Sequence, residues 1–335
     1  MAERHHLRPR VGTVIGDPCG IGPEVVAKAW ATGQVHLCSR PVLIGSAAAM
    51  EQAIRITGID AKLHKVAALS ELSDDPRVVD IIDTGWLDAN EITPGKSNRA
   101  CGYATAMWLD QSGELAKAGK LAAVVYAPID SAAMKMAGVL DRVVSIKPGE
   151  NYALLLSGPL RVAHVTDHLP MRQMCDELSP ELIEAALITL HTELQKWGMA
   201  DPRIVVAGLN PHARGREEDE AIGPGIARAR LRGVAADGPQ SPDTVFRQCI
   251  EGRYDVVLAM YHDQGHIAVK TWGFSGNCVL VLGAPHINLS VAHGTAHDIV
   301  GKGIADPAMI LSAMTTGAFL AAGRGFPTDR DLCQR

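Results

Sequence analysis

Aromatic side chains are scarce in this 335-residue chain, at 4%. So few rings leave no stacking platform for single-stranded nucleic acid. A basic excess is missing too. Thirty-two Lys and Arg face 37 Asp and Glu, a formal net charge of -5. Phosphate backbones require the opposite sign, so no nucleic-acid partner is expected. No two of the seven cysteines (Cys19, Cys38, Cys101, Cys175, Cys249, Cys278 and Cys333) have CxxC spacing, and their number is odd. That excludes a zinc ribbon and a complete disulfide framework, and points to reduced thiols. No apolar run reaches the length of a membrane span, and Met1 to Arg10 is polar and basic with no signal-type h-region behind it. A cytoplasmic protein without a membrane partner is expected. What is present is 47% hydrophobic and 21% charged, enough to build the cores of two ordinary domains.

Short apolar runs alternate with helical patterns. Strands are expected at 11–15, 40–44, 121–129, 160–165, 203–207, 255–260 and 278–282. Helices are expected from about Pro23, where proline suits the first turn, and at 48–57, 99–118, 180–197, 222–232 and 307–322. This alternation predicts an α/β fold with a largely parallel sheet. In such sheets ligands gather beyond the carboxyl ends of the strands. His164 and His168 accompany the strand at 160–165, His212 follows 203–207, and His262 follows 255–260. Three strands thus carry imidazoles to the edge where chemistry is done.

Four segments stand out. The glycine-rich turn Gly16-Asp17-Pro18-Cys19-Gly20-Ile21-Gly22-Pro23-Glu24 joins a strand to a helix. Its N–H groups suit an anion or a ribose edge, although it lacks the GxGxxG pattern and an ordinary tight turn is the plain alternative. Thr93-Pro94-Gly95-Lys96-Ser97 ends like a phosphate loop, but Asn90 stands where the first glycine is required. Asn210-Pro211-His212 and Tyr261-His262-Asp263-Gln264-Gly265-His266 read as turns after buried strands, with imidazoles fit for a divalent ion. Asp263 is placed to orient an imidazole. His5, His6, His36, His64 and His191 read as ordinary surface or core residues. The densest motif runs from His293 to Pro307, where glycines permit close backbone approach and Asp298 or Asp306 could accept hydrogen bonds from ribose.

Together, GDPCGIGPE (16–24), HVTDHLP (164–170), GLNPHA (208–213), GREE (215–218), GPQSPDT (238–244), MYHDQGHI (260–267) and HGTAHDIVGKGIADP (293–307) resemble the 4-hydroxythreonine-4-phosphate dehydrogenase (PdxA) family. The stretches follow family order from about residue 11 to 320. The last also looks like the cofactor loop of isopropylmalate and isocitrate dehydrogenases. The resemblance implies a homodimer of subunits with two α/β/α domains and the active site in a cleft. It implies NAD or NADP along the 293–306 loop, through His293, Gly294, Thr295, Ala296, Asp298, Gly301 and Asp306. It implies one divalent metal (Zn, Mn, Co or Mg) on His168, His212 and His262, with ligands drawn from both subunits. Lys270 matches a substrate-binding lysine, and Lys270 and Asp263 are the candidate catalytic residues. One domain is expected over 1–130 plus 290–335, carrying the cofactor loop. The other is expected over 131–289, carrying the metal ligands and the dimer interface.

The chain departs from the family at the phosphate site. Where relatives carry an Ala-Pro-Ile-Asn-Lys-like run, this chain has Ala127-Pro128-Ile129-Asp130-Ser131. It has no Gly-His-Thr segment between Ile129 and Leu154. Val279 replaces an asparagine, Asn288 an arginine and Ala292 an aspartate. The loop between His212 and Gly215 is shorter than usual. A phosphate dianion wants fork-like cationic donors, and their loss favours an unphosphorylated carboxylate substrate. The two phosphate-site positions are also altered in the relative that oxidises the cis-dihydrodiol of terephthalate. The reaction expected is therefore oxidation of a β-hydroxy acid followed by decarboxylation. The alternatives are a phosphorylated hydroxy acid, as in pyridoxal phosphate synthesis, and a catalytically silent binding subunit. No arginine near Asp298 or Asp306 marks a 2′-phosphate pocket, which favours NAD.

Overall fold

The computed structural model describes residues 8–143, 146–273, 275–328 and 331. His5, His6 and Cys333 lie outside the described residues. Twelve strands appear in chain order among them: β1 Arg10–Val14, β2 Arg40–Ile44, β3 Lys62–Lys65, β4 Val78–Ile82, β5 Ala123–Tyr126, β6 Tyr152–Ser157, β7 Leu160–His164, β8 Ile204–Ala207, β9 Ala236–Gln240, β10 Val256–Ala259, β11 Cys278–Leu282 and β12 Ile287–Val291. The chain divides into two compact units, residues 1–145 with 285–322, and residues 146–284 with 323–335.

In the first unit the strand order is β3-β4-β2-β1-β5-β12, and every pairing is parallel. Four of the five residues in β1 and in β2 are buried, as expected for parallel strands covered on both faces. The helix Arg99–Lys117 packs on β1 and β5, and the helix Ala308–Ala321 packs on β5 and β12. Pro128 stops β5 short of the expected end at 129. Asp130 then caps the helix Ser131–Ala137 by accepting from the N–H groups of Ala132 and Ala133 at 2.8 and 3.2 Å. This helix packs against Arg99–Lys117, so the unit continues past the boundary expected at 130. His36 is core-packed as expected, edge-on against Trp30 at 4.8 Å.

In the second unit the order is β11-β6-β7-β10-β8-β9. The pairs β11–β6 and β6–β7 are antiparallel and the rest are parallel. The hairpin β6–β7, closed through Gly158 and Pro159, departs from the expected β/α alternation. An apolar strand followed at once by a second one has no helix between to force a crossover. The described residues beyond 322 (323–328 and 331) belong to this unit and not to the first. The N–H of Gly325 donates to the carbonyl of Trp197 at 2.7 Å, and Phe326 packs edge-on against Trp197 with the Arg161 guanidinium above its ring. The segment expected as a turn after β10 is a helix, His262–Trp272, lying on β6, β7 and β10. No helix among the described residues is long and apolar enough to cross a membrane.

Gly102 sits where the helices Arg99–Lys117 and Ser131–Ala137 pack closely. A Cβ there would fall 2.3 Å from the backbone carbonyl of Ala133, and backbone cannot yield as a flexible side chain does. Gly102→Ala should lower unfolding stability by about 1–3 kcal/mol. Urea denaturation checks this, and an unchanged midpoint would show that the two helices can part freely.

Candidate functional site

β7 and β10 stay hydrogen-bonded to their very ends. Beyond the last paired residues, Val165 N–H donates to Ala259 O at 2.9 Å, and the Thr166 hydroxyl reaches Met260 O at 2.9 Å. The two chains therefore leave the sheet side by side, and His168 and His262 emerge 4.8 Å apart between ring centres. Each imidazole is backed by its neighbouring carboxylate. His168 Nδ1 lies 2.7 Å from Asp167 Oδ2, and His262 Nδ1 lies 2.7 Å from Asp263 Oδ1. Such contacts orient the ring and leave Nε2 for a ligand. Donor atoms of Asp167, His168 and His262 all lie within 4.8 Å of one another. This N, N, O set fits a divalent ion such as zinc or manganese.

Two further imidazoles, absent from the sequence-derived site, complete a stack. His266 lies one turn after His262 on the same helix face, with rings 3.8 Å apart and nearly parallel. His164, at the end of β7, stacks on His266 at 5.3 Å. It is buried, and neither ring nitrogen has a hydrogen-bond partner. Burial first, then the neighbouring imidazoles, holds its pKa well below the usual histidine value. His266 is lowered to about 4 by burial, with the charges of His262 and Lys270 adding to the effect. Both rings are therefore neutral near pH 7 and do not repel a cation. The signal was present in the spacing His262-x-x-x-His266, but it becomes a shared face only if the segment is helical. Lys270 is exposed, in the last turn of that helix.

His212 does not join the group of mutually close donors. It is exposed in the short loop after β8 and holds a left-handed backbone, φ 57 and ψ 22, as does Ala213. Such strain in a non-glycine residue persists only where its surroundings impose it. Here the buried Glu218 carboxylate accepts from Leu209 N–H at 2.7 Å, from Asn210 N–H at 2.8 Å and from the Asn210 amide at 2.7 Å. Burial opposes its ionisation, yet these donors together keep its carboxyl below the usual range. Gln264 ties this loop to the histidine helix, accepting from Met260 N–H and donating to Gly208 O at 2.7 and 2.8 Å.

The 293–306 segment belongs to the first unit and folds as successive turns. It too hangs on one buried carboxylate. Glu24, in the helix Gly22–Ala31, accepts from the N–H groups of Gly301 and Gly303 at 2.6 and 3.0 Å. Lys28 donates to Ala305 O at 2.8 Å, and Ile21 N–H donates to Thr295 O at 3.0 Å. The glycine-rich turn and the glycine-rich loop are thus one assembly. Asp306 accepts from Ala308 N–H at 2.9 Å just ahead of the helix Ala308–Ala321, whereas Asp298 is exposed. His293 Nδ1 contacts Gly294 O at 2.9 Å, and Ala296 has φ 43.

Comparison with known proteins places the chain. The family model described as pyridoxal phosphate biosynthetic protein PdxA matches residues 37–317. The chain belongs to the PdxA family. It is 57% identical over 320 residues to a protein of Novosphingobium aromaticivorans provisionally named a 4-hydroxythreonine-4-phosphate dehydrogenase, covering 96% of this chain and 97% of that one. It is 36% identical to a D-threonate 4-phosphate dehydrogenase of Cupriavidus necator, covering 94% and 98%. Among solved structures, a 4-hydroxythreonine-4-phosphate dehydrogenase from Burkholderia phymatum superimposes with a TM-score of 0.81 at 34% identity, covering 93% and 98%. A terephthalate 1,2-cis-dihydrodiol dehydrogenase from Burkholderia xenovorans gives 0.65 at 32%, covering 92% and 98%. These relatives are dehydrogenases, and the mixed α/β fold is theirs.

Two outcomes follow from the geometry. Asp263→Ala should weaken divalent-ion binding about 10–100-fold, as read by titration calorimetry, and equal affinity would remove Asp263 from any orienting role. Glu24→Ala leaves two loop amides without their acceptor, a loss of about 1–3 kcal/mol. Amide exchange over 297–305 should quicken and NAD(P) affinity should fall, and unchanged exchange would show that the loop is held by other contacts.

Proposed function

We propose that this chain is an NAD(P)-linked, divalent-metal-dependent dehydrogenase of a hydroxy acid phosphate, the substrate class for which its relatives are named. The names of those relatives support this alternative better than the unphosphorylated reading drawn from the phosphate-site departures. The observation that carries the metal-dependent part is the pair His168 and His262, each backed by a carboxylate with Nε2 turned free. These two residues, with Asp167, would hold the ion. Bound there, a divalent cation supplies Lewis acidity toward a substrate hydroxyl and carboxylate.

The protein's own groups do the rest. Lys270 offers an ammonium to an anionic group of the substrate. The turn at 16–24 and the loop at 293–306, locked together by Glu24, present backbone N–H groups and Asp298 to the dinucleotide. Bound NAD(P) would supply the hydride acceptor for oxidation of a carbinol to a ketone, the hydroxyl proton leaving to solvent. His212 enters the ion site, on this reading, from a second copy of the chain, in keeping with a homodimer built through the unit at 146–284. The preferred cofactor is NAD, because no arginine accompanies Asp298.

A second reading keeps one specific support. Asp130 stands in the run where the resembled phosphate site carries Asn-Lys. Its carboxylate is buried and accepts from Ala132, Ala133 and the Ser97 hydroxyl, the last at 2.5 Å. Asn288, in place of an arginine, is buried as well. An anion and a neutral amide are poor hosts for phosphate. They suit the hydroxyls of a cis-dihydrodiol, whose oxidation would be followed by loss of CO2 as the ring becomes aromatic.

Reduction of NAD and NADP with 4-phosphohydroxy-L-threonine, D-threonate 4-phosphate and terephthalate cis-dihydrodiol separates the readings. A phosphorylated substrate should be turned over, with activity lost on chelation and restored by metal. Turnover of the dihydrodiol alone, with CO2 released, would replace the first reading by the second. His262→Ala should cost at least about 10²–10³ in kcat while NAD(P) affinity by fluorescence titration stays within error. Retained turnover would detach the histidines from the chemistry.

A further inference from the structure

The first unit buries another set of donors, distinct in residues and chemistry from the histidines. Cys19 Sγ, in the glycine-rich turn, lies 3.3 Å from Cys101 Sγ, in the helix Arg99–Lys117, and both residues have zero exposure. Thr93 N–H donates to Cys19 Sγ at 3.3 Å, the kind of contact that steadies a thiolate. Asp17 completes the group. One of its oxygens accepts from Cys19 N–H at 2.6 Å, while the other is buried without a partner. Donor atoms of Asp17, Cys19 and Cys101 lie within 4.8 Å of one another, and Asp17 also forms a second such group with Asp130 and His297.

An orphaned carboxylate oxygen at zero exposure is expensive. Burial raises the Asp17 carboxyl to about 6, against the Cys19 N–H and the nearby His297, which lower it. The contact between the two thiols holds Cys19 below its usual value and pushes Cys101 above its own, so the pair favours one thiolate sharing one proton. Two sulfurs bound to one tetrahedral zinc at about 2.3 Å stand about 3.7–3.8 Å apart. The observed pair needs to open by only about half an ångström to reach that spacing. Two sulfurs and one carboxylate form a soft, anionic set that selects zinc over magnesium or calcium.

We propose that Asp17, Cys19 and Cys101 bind a zinc ion at a site separate from the histidine cluster. On binding, both thiols release their protons and Asp17 supplies its unpartnered oxygen, leaving the fourth position to water. The site lies directly under the 293–306 loop. Ile21 N–H donates to Thr295 O at 3.0 Å, and a Cβ on Gly20 would meet Thr295 Cβ at 2.8 Å. The ion therefore ties the turn that supports that loop. The proposal does not depend on the substrate reading above.

Titrating the reduced, full-length protein with Co2+ tests it, because thiolate ligands give an intense near-ultraviolet charge-transfer band that imidazoles and carboxylates do not. The band should grow to saturation and vanish on adding Zn2+. It should be lost in Cys19→Ala and in Cys101→Ala, and be preserved in His262→Ala. A second measurement needs no variant: in urea below the unfolding midpoint, where the buried pair opens transiently, Zn2+ should slow alkylation of Cys19 and Cys101, as read by peptide mass spectrometry. Absence of the band, its survival in both cysteine variants, or alkylation unaffected by Zn2+ would each overturn the proposal.

Discussion

The approach of β7 to the helix His262–Trp272 is the constraint on which the rest of the metal-type site depends. A Cβ at Gly265 would stand 2.2 Å from His164 Nε2, so only glycine lets that helix lie so close to the strand. Because it does, His262 and His266 come down over His164 while His168 is brought alongside from the chain leaving β7. Any larger residue at 265 would lift the helix start and carry both of its imidazoles away. The site is thus a consequence of backbone proximity first and of imidazole chemistry second.

Buried carboxylates play the complementary part. Glu24 gathers two amides of the 293–306 loop, Glu218 gathers two amides and a side-chain amide of the His212 loop, and Asp130 caps a helix and receives the Ser97 hydroxyl. In each case a group that is costly to bury is offset by several N–H or O–H donors pointing at it. The result is irregular loops with defined shapes, including a left-handed His212, without extra secondary structure. Asp17 breaks the pattern, since one of its oxygens finds no donor at all.

The same economy bears on substrate choice. Family membership supports a phosphorylated substrate, while the residues at 130, 279 and 288 have exchanged cationic or amide donors for an anion, a methyl-bearing side chain and a neutral amide. Asp130 serves its own capping and hydroxyl contacts, so its charge is committed to the fold. A shared scaffold can keep its histidine cluster while the residues at these positions change.

The alternation of apolar runs and helical patterns by itself determined an α/β architecture, the two strands at 40–44 and 278–282, and the principle that imidazoles would collect at strand ends. Composition argued against nucleic acid and membrane spans, because those partners demand charge or apolar run length that the sequence does not show. Motif order along the chain determined the family. Only the tertiary structure decided that the segment after β10 is a helix, since His262-x-x-x-His266 reads equally well as a turn until its apolar face finds β6, β7 and β10. Only it decided that β6 and β7 form a hairpin, that the unit boundaries fall at 145 and 285, and that Gly325 and Phe326 pack on Trp197. Likewise Cys19 and Cys101, 82 positions apart, carry no shared signal in sequence. Short-range patterns encode which face is apolar, whereas the meeting of distant polar groups is settled by which apolar faces pack together.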